Sequence, residues 1–251
     1  MPDPACPVCR GSGWKVVERN GISGAARCQC TSVDVQRQTI EHSSLPALYK
    51  NADFENFKAH DDVPLQFVMN LVRTYATKYP AIDKPGILLI GSPGTGKTHL
   101  AVSALRRLME RGFNGLFFDY QNLLQRIRSS YDPASGSGDR EAYSAALEAD
   151  ILLLDDLGAH RITDWVEDTV TSLITYRCNH KKPIIATTNL PDYEMAPPAG
   201  RDLSPTGKEF KRTLVDHIGM RAHSRLFEMC RVIRMPAQTQ DHRRVKAEMN
   251  R

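Results

Sequence analysis

From residue 86 onward, apolar runs punctuate the chain at 86–90 (Gly-Ile-Leu-Leu-Ile), 115–119 (Gly-Leu-Phe-Phe-Asp), 151–156 (Ile-Leu-Leu-Leu-Asp-Asp), 183–187 (Pro-Ile-Ile-Ala-Thr) and 230–235. The first four are apolar nearly throughout, as strands covered on both faces are. Between them, apolar positions recur every three or four residues. Leu65, Val68, Met69, Val72, Tyr75 and Tyr79 predict a helix over 64–79, with Pro80 and Pro85 marking the boundary before the first core strand. Further helices are predicted over 97–111, stopped at Gly112, and over about 121–131, 140–149, 163–179 and 206–229, with a short basic helix at 241–250. The alternation of strand and helix implies an α/β fold with a central parallel sheet between two helical layers.

Two stretches break the pattern. Pro133–Gly138 and 191–205 are rich in Pro, Gly and Ser and read as loops. Ahead of the first strand, 31–42 reads as an amphipathic helix carrying Val33, Val35 and Ile40. Tyr49, Phe54 and Phe57 follow in a segment that either packs on the core or borders a ligand base. A chain of 251 residues has room for one such domain and a small appendage. Its hydrophobic content of 41% is that of a globular protein. No run is long enough to span a membrane and no signal-like segment opens the chain, so a cytoplasmic protein is expected. The net charge is +4 overall, but residues 201–251 hold twelve Lys and Arg against six Asp and Glu. That basic end fits contact with phosphate or nucleic acid, and equally a solvated helix.

The candidate chemistry begins where the first strand ends. Gly91-Ser92-Pro93-Gly94-Thr95-Gly96-Lys97-Thr98 fits G-x-x-x-x-G-K-[ST] between a strand and a helix that opens at His99. Glycines let successive N–H groups turn toward phosphate oxygens, Lys97 reaches the β- and γ-phosphates, and the Thr98 hydroxyl ligates Mg²⁺. Asp155 and Asp156 end a second strand: Asp155 is placed in the Mg²⁺ shell, and Asp156 orients or deprotonates the attacking water. Asn189, after Thr187 and Thr188, ends a third strand and is placed beside the γ-phosphate. At the N-terminus, Cys6/Cys9 and Cys28/Cys30 form two close pairs, as a tetrahedral Zn²⁺ site requires, with disulfides or plain thiols as the alternative. Trp14 and Val16-Val17 are expected to form a hairpin strand there, with a Gly21/Gly24 turn. Cys178 and Cys230 read as core thiols.

Together these motifs resemble an AAA+ ATPase. Gly-Thr-Gly-Lys-Thr-His-Leu-Ala at 94–101, Leu-Leu-Leu-Asp-Asp-Leu-Gly at 152–158 and Ala-Thr-Thr-Asn-Leu at 186–190 resemble the DnaC/DnaI helicase-loader family, to which the transposition helper IstB is related. The resemblance implies an AAA+ P-loop fold over 45–251, preceded at 1–44 by a zinc-binding, partner-gripping module. It implies ATP, Mg²⁺ and Zn²⁺ as bound groups, and a hexameric replicative helicase and single-stranded DNA as partners. It also implies self-assembly into an ATP-dependent oligomer. Within Gly219–Leu226 it implies a trans-acting arginine finger, Arg225 first and Arg221 second, and Arg243 or Arg244 in the sensor-2 position. Asp156 departs from the Glu found in most AAA+ proteins, which suits a slow switch. Arg126 and Arg128, near Tyr120 and Tyr131, are a candidate single-strand surface or a plain structural face. The alternatives are a duplex-coating, transposase-assisting ATPase, and a zinc-mediated adaptor in which ATP binding alone drives assembly.

Overall fold

A computed structural model describes residues 7, 9, 10, 12, 14–19, 22–27, 44–59, 62–130, 137–160, 162–192 and 213–236. An antiparallel hairpin comes first, β1 (Trp14–Arg19) and β2 (Ile22–Arg27), with Trp14 opposite Arg27. Gly24, expected in the turn, lies within β2 opposite Val17. Cys6, Cys28 and Cys30 lie outside the described residues, as do the helices expected at 31–42 and 241–250. Cys9 is buried, and its carbonyl accepts from both the backbone N–H and the hydroxyl of Ser12, at 3.0 and 2.7 Å, closing a tight turn.

The remaining strands are β3 (Gly86–Ile90), β4 (Gly115–Asp119), β5 (Ile151–Asp155), β6 (Ile184–Thr188) and β7 (Cys230–Arg234). They form one parallel sheet in the order β4-β5-β6-β3-β7. The first of these strands in sequence therefore lies between the last two, and the switch in winding direction leaves a crevice at its carboxyl edge.

The sheet residues alternate between two cores. Ile87, Leu89, Ile151, Leu153 and Ile185 face α1 (Val63–Lys78) and α2 (Lys97–Glu110). Leu88, Ile90, Leu152, Leu154, Ile184 and Ala186 face α3 (Tyr120–Ser129), α4 (Ser137–Glu148), α5 (Asp164–Asn179), α6 (Val215–Ile218) and α7 (Met220–Met229). Each fully buried aliphatic contributes roughly 1.5–3 kcal/mol, which is why β3, β5 and β6 carry no polar position until their ends.

Helix starts follow the cap rules. Asp62, Asp119 and Thr163 accept from Leu65, Asn122 and Val166 N–H groups, opening α1, α3 and α5. Two expectations are corrected. α4 starts at Ser137, within the stretch assigned to a loop, because burial of Ala142 and Ala146 against α3 and α5 outweighs the local turn signal. The helical region expected over 206–229 is interrupted at Gly219, which separates α6 from α7, and its first residues lie outside those described.

Arg177 on α5 is fully buried. Its guanidinium donates to the carbonyls of Ala146, Leu147, Ala149 and Pro183 at 2.8–3.0 Å, tying the end of α4 to the start of β6. Burial pulls its pKa down to about 10, which leaves it charged at neutral pH. Among the described residues, no helix is long and apolar enough to cross a membrane.

Candidate nucleotide site

The loop from β3 to α2 is shaped by two glycines in the left-handed region, Gly94 (φ 78°) and Gly96 (φ 89°). No side chain caps α2, so its first-turn N–H groups stay available to an anion. Phe57 braces this turn from outside: a Cβ on Gly96 would lie 2.6 Å from its ring. Phe57 also packs against His99, ring centroids 5.3 Å apart, while His99 Nε2 lies 2.9 Å from the Asp53 carbonyl. The segment ahead of the core therefore packs on it, as one of its two expected roles requires. Phe54 and Phe57 are buried, whereas Tyr49 lines a cavity of about 440 Å³ with the phosphate loop, Asp156 and Asn189.

Polar residues meet at the carboxyl edge of β3, β5 and β6. Lys97 is buried, and its ammonium donates to the Ser92 carbonyl at 2.8 Å and to Asn189 Oδ1 at 2.7 Å. The other end of Asn189 donates to Asp156 Oδ1 at 2.8 Å. One amide thus spans the phosphate-loop lysine and the carboxylate expected to handle the water. The Thr98 hydroxyl donates to Asp155 Oδ1 at 2.9 Å, which pairs the two residues assigned to Mg²⁺. Thr95 closes the loop on itself, donating to the Ser92 carbonyl at 2.9 Å.

Asp155 is buried, and its carboxyl pKa is raised, first by desolvation and then by the charges of Asp156 and Asp119. Hydrogen bonds from Thr187 and Thr98 oppose the shift. A buried carboxylate beside a hydroxyl at a strand end suits a hard cation, whose charge offsets the desolvation. Asp156 has a φ of 53°, a left-handed conformation that Asp tolerates better than most residues. That backbone demand gives a local reason for Asp where most AAA+ proteins carry Glu.

Two contributors were not identified from sequence. Thr187 donates to Asp155 Oδ1 at 2.6 Å and accepts from the Asp156 N–H at 3.0 Å, so one buried hydroxyl sets both acids. Its signal was a Thr-Thr pair inside an apolar strand. Leu48, 81% exposed, lies on the cavity rim beside Tyr49 and had no signal beyond that neighbour.

The arginines are placed elsewhere. Arg221 and Arg225 lie on the exposed face of α7, and neither lines the cavity of its own chain. Arg225 donates to Glu228 at 2.8 Å. Arg243 and Arg244 lie outside the described residues. The proposed strand-binding surface is corrected in part. Tyr120 is 2% exposed and belongs to the core, so it offers no stacking face. Arg126 and Arg128 lie 5.9 and 5.5 Å from the Phe118 and Trp165 rings, and Tyr131 lies outside the described residues.

Comparison with known proteins is consistent with this geometry. The family model for the IstB-like ATP binding protein matches residues 31–196. The phage-like element PBSX protein XkdC of Bacillus subtilis (strain 168) is 25% identical, over 74% of this chain and 71% of its own. The replicative helicase loader DnaC of Escherichia coli (strain K12) is 22% identical, over 68% of this chain and 69% of its own. A crystal structure of the DnaC helicase loader superposes with a TM-score of 0.61 and 28% identity, over 76% of this chain and 100% of that one. The DnaI crystal structure, 17% identical with a TM-score of 0.59, shares the fold. The chain belongs to the IstB/DnaC-like family of ATP-binding proteins, on the AAA+-type α/β fold.

Proposed function

We propose that this protein loads a replicative DNA helicase onto single-stranded DNA, and that ATP hydrolysis switches its release. The observation that carries the reading is the Lys97–Asn189–Asp156 chain of hydrogen bonds, a set of groups suited to hydrolysis at the end of the phosphate loop. The partner follows from the helicase-loader relative and from the loader structure that this chain covers along its full length.

In this reading the loop 91–98 and His99 hold the nucleotide, with Tyr49 and Leu48 beside its base. Thr98 and Asp155 hold Mg²⁺, which supplies positive charge to the phosphate oxygens as negative charge shifts toward the leaving group. Lys97 neutralises the γ-phosphate. Asp156 accepts a proton from the attacking water as the bond to the departing ADP breaks, and Asn189 fixes the Asp156 carboxylate. Arg225, with Arg221 as the second choice, is offered to a neighbouring subunit's γ-phosphate, as its distance from its own cavity permits. Arg243 takes the sensor-2 position in this reading. Self-assembly into an ATP-dependent oligomer follows from that division of the site.

The first 44 residues form the partner-gripping module in this reading, with Cys6, Cys9, Cys28 and Cys30 on one Zn²⁺ ion. The cysteine pairs adjoin, in sequence, the same open end of the hairpin, where Trp14 faces Arg27, and the Cys9–Ser12 turn suits one knuckle of such a site.

The test is co-elution of the full chain with a hexameric replicative helicase, with ATP and single-stranded DNA varied separately. A complex formed with ATP present supports the loader. No complex in any condition, together with filaments on duplex DNA, would favour the transposase-assisting role that the IstB-like family description also fits.

A further inference from the structure

Beyond the residues that face the nucleotide, one buried carboxylate sits where three site-bearing segments converge. Asp192 lies three residues after Asn189 and is 2% exposed. Its Oδ1 lies 3.2 Å from His223 Nε2 on α7, and its Oδ2 lies 3.4 Å from the Arg234 guanidinium at the end of β7. Arg234 is in register with Ile90, the residue before the phosphate loop, and the next N–H, of Met235, donates to the Ile90 carbonyl at 2.8 Å. The backbone on this side is tied as well, since the Leu214 N–H donates to the Pro191 carbonyl at 2.9 Å.

His223 is held rather than free to rotate. Its ring stacks on Phe227 with centroids 4.0 Å apart, and its Nε2 is engaged by the Asp192 carboxylate at 3.2 Å. Arg225 lies two residues further along the same short helix, on the exposed side. A path of one short turn and one hydrogen bond thus joins the strand end bearing Asn189, through Asp192, to the helix bearing Arg225. Burying a carboxylate at this junction carries a desolvation cost that an apolar residue would avoid. Its placement there, with a partner on each carboxylate oxygen, suits a role in fixing position.

We infer that Asp192 and His223 are a positioning pair that sets the arginine helix α7 according to the state of Asn189, so that the nucleotide site of one subunit governs the arginine offered to the next. This deepens the proposed function and rests on its trans-acting arginine.

The test measures ATP turnover of the assembled full chain, with kcat and KM separated, for His223→Ala, Asp192→Ala, His223→Gln, Arg225→Ala and Arg221→Ala. Each is assayed alone and with an excess of Asp156→Asn subunits, which bind ATP and keep an intact α7. His223→Ala and Asp192→Ala are expected to lower kcat at least fivefold with KM within twofold. Excess Asp156→Asn subunits should restore turnover at the variant subunits' own sites, because the defect lies in the helix offered to the neighbour. His223→Gln, whose amide N–H can replace the imidazole donor, should keep most of the activity. Unchanged kcat in His223→Ala and Asp192→Ala, no restoration on mixing, or equal loss in His223→Gln and His223→Ala would overturn the pair. Full turnover in both Arg225→Ala and Arg221→Ala would instead bring down the trans-arginine reading beneath it, so the two failures are distinct.

Discussion

Replacing Gly96 by Ala perturbs the phosphate loop in two separable ways. The residue sits at φ 89°, where an L-residue is strained by about 1–2 kcal/mol. Its new Cβ would also lie 2.6 Å from Phe57 Cε2 and 3.0 Å from Cζ, and such overpacking costs about 1–3 kcal/mol. Gly96→Ala should therefore destabilise the nucleotide-free protein by about 2–5 kcal/mol. Phe57→Ala alone should cost about 3–5 kcal/mol through the cavity it leaves. In the double variant the clash is gone but the backbone strain persists, so the total should fall short of the sum by about 1–3 kcal/mol. Urea unfolding followed by circular dichroism measures the cycle. Titration with a fluorescent ATP analogue should show weakened binding in Gly96→Ala that the second substitution does not fully restore. Additivity within about 0.5 kcal/mol would refute the idea that Phe57 braces the loop.

Three other outcomes are expected. Asp155→Asn keeps the Oδ1 acceptor for Thr98 and Thr187 but removes a carboxyl whose pKa is raised in the folded protein. A raised carboxyl favours folding below its unfolded value and loses that contribution as pH rises through the folded one. The metal-free variant should therefore melt above wild type at neutral pH, by a margin that shrinks toward acid, while losing the stabilisation that Mg²⁺ and ATP give wild type; scanning calorimetry across pH reads both. Arg177→Lys replaces a fork that reaches carbonyls on two segments with a single ammonium, and should cost about 2–4 kcal/mol in denaturant unfolding. The Tyr120 hydroxyl is buried without a hydrogen-bond partner among the described residues, so Tyr120→Phe should leave the melting temperature equal or higher.

What could be read from sequence was what the physics makes local. β3 and β4 match their apolar runs because buried parallel strands need unbroken hydrophobic residues, and the phosphate loop announces itself because its backbone demands glycine. Asp155, Asp156 and Asn189 were legible as polar ends of apolar strands. Illegible were the contacts that join distant segments: Thr187 to Asp155, Asp192 to His223 and Arg177 to the end of α4. Nothing in the spacing of these residues encodes their meeting, which the parallel sheet brings about. α4 began earlier than its composition suggested because packing of two alanines outweighs a Ser-Gly turn signal. Tyr120 looked like a stacking platform until burial placed it beneath the surface.

The central claim is that ATP hydrolysis at Asp156 releases this protein from a helicase it has placed on single-stranded DNA. The most direct measurement is the dissociation rate of labelled protein from a preformed complex with a hexameric helicase and single-stranded DNA, after ATP is added. The account predicts prompt release of wild type, and retention both for Asp156→Asn with ATP and for wild type with a non-hydrolysable analogue. Release of Asp156→Asn at the wild-type rate would contradict it, and would make nucleotide binding alone the switch.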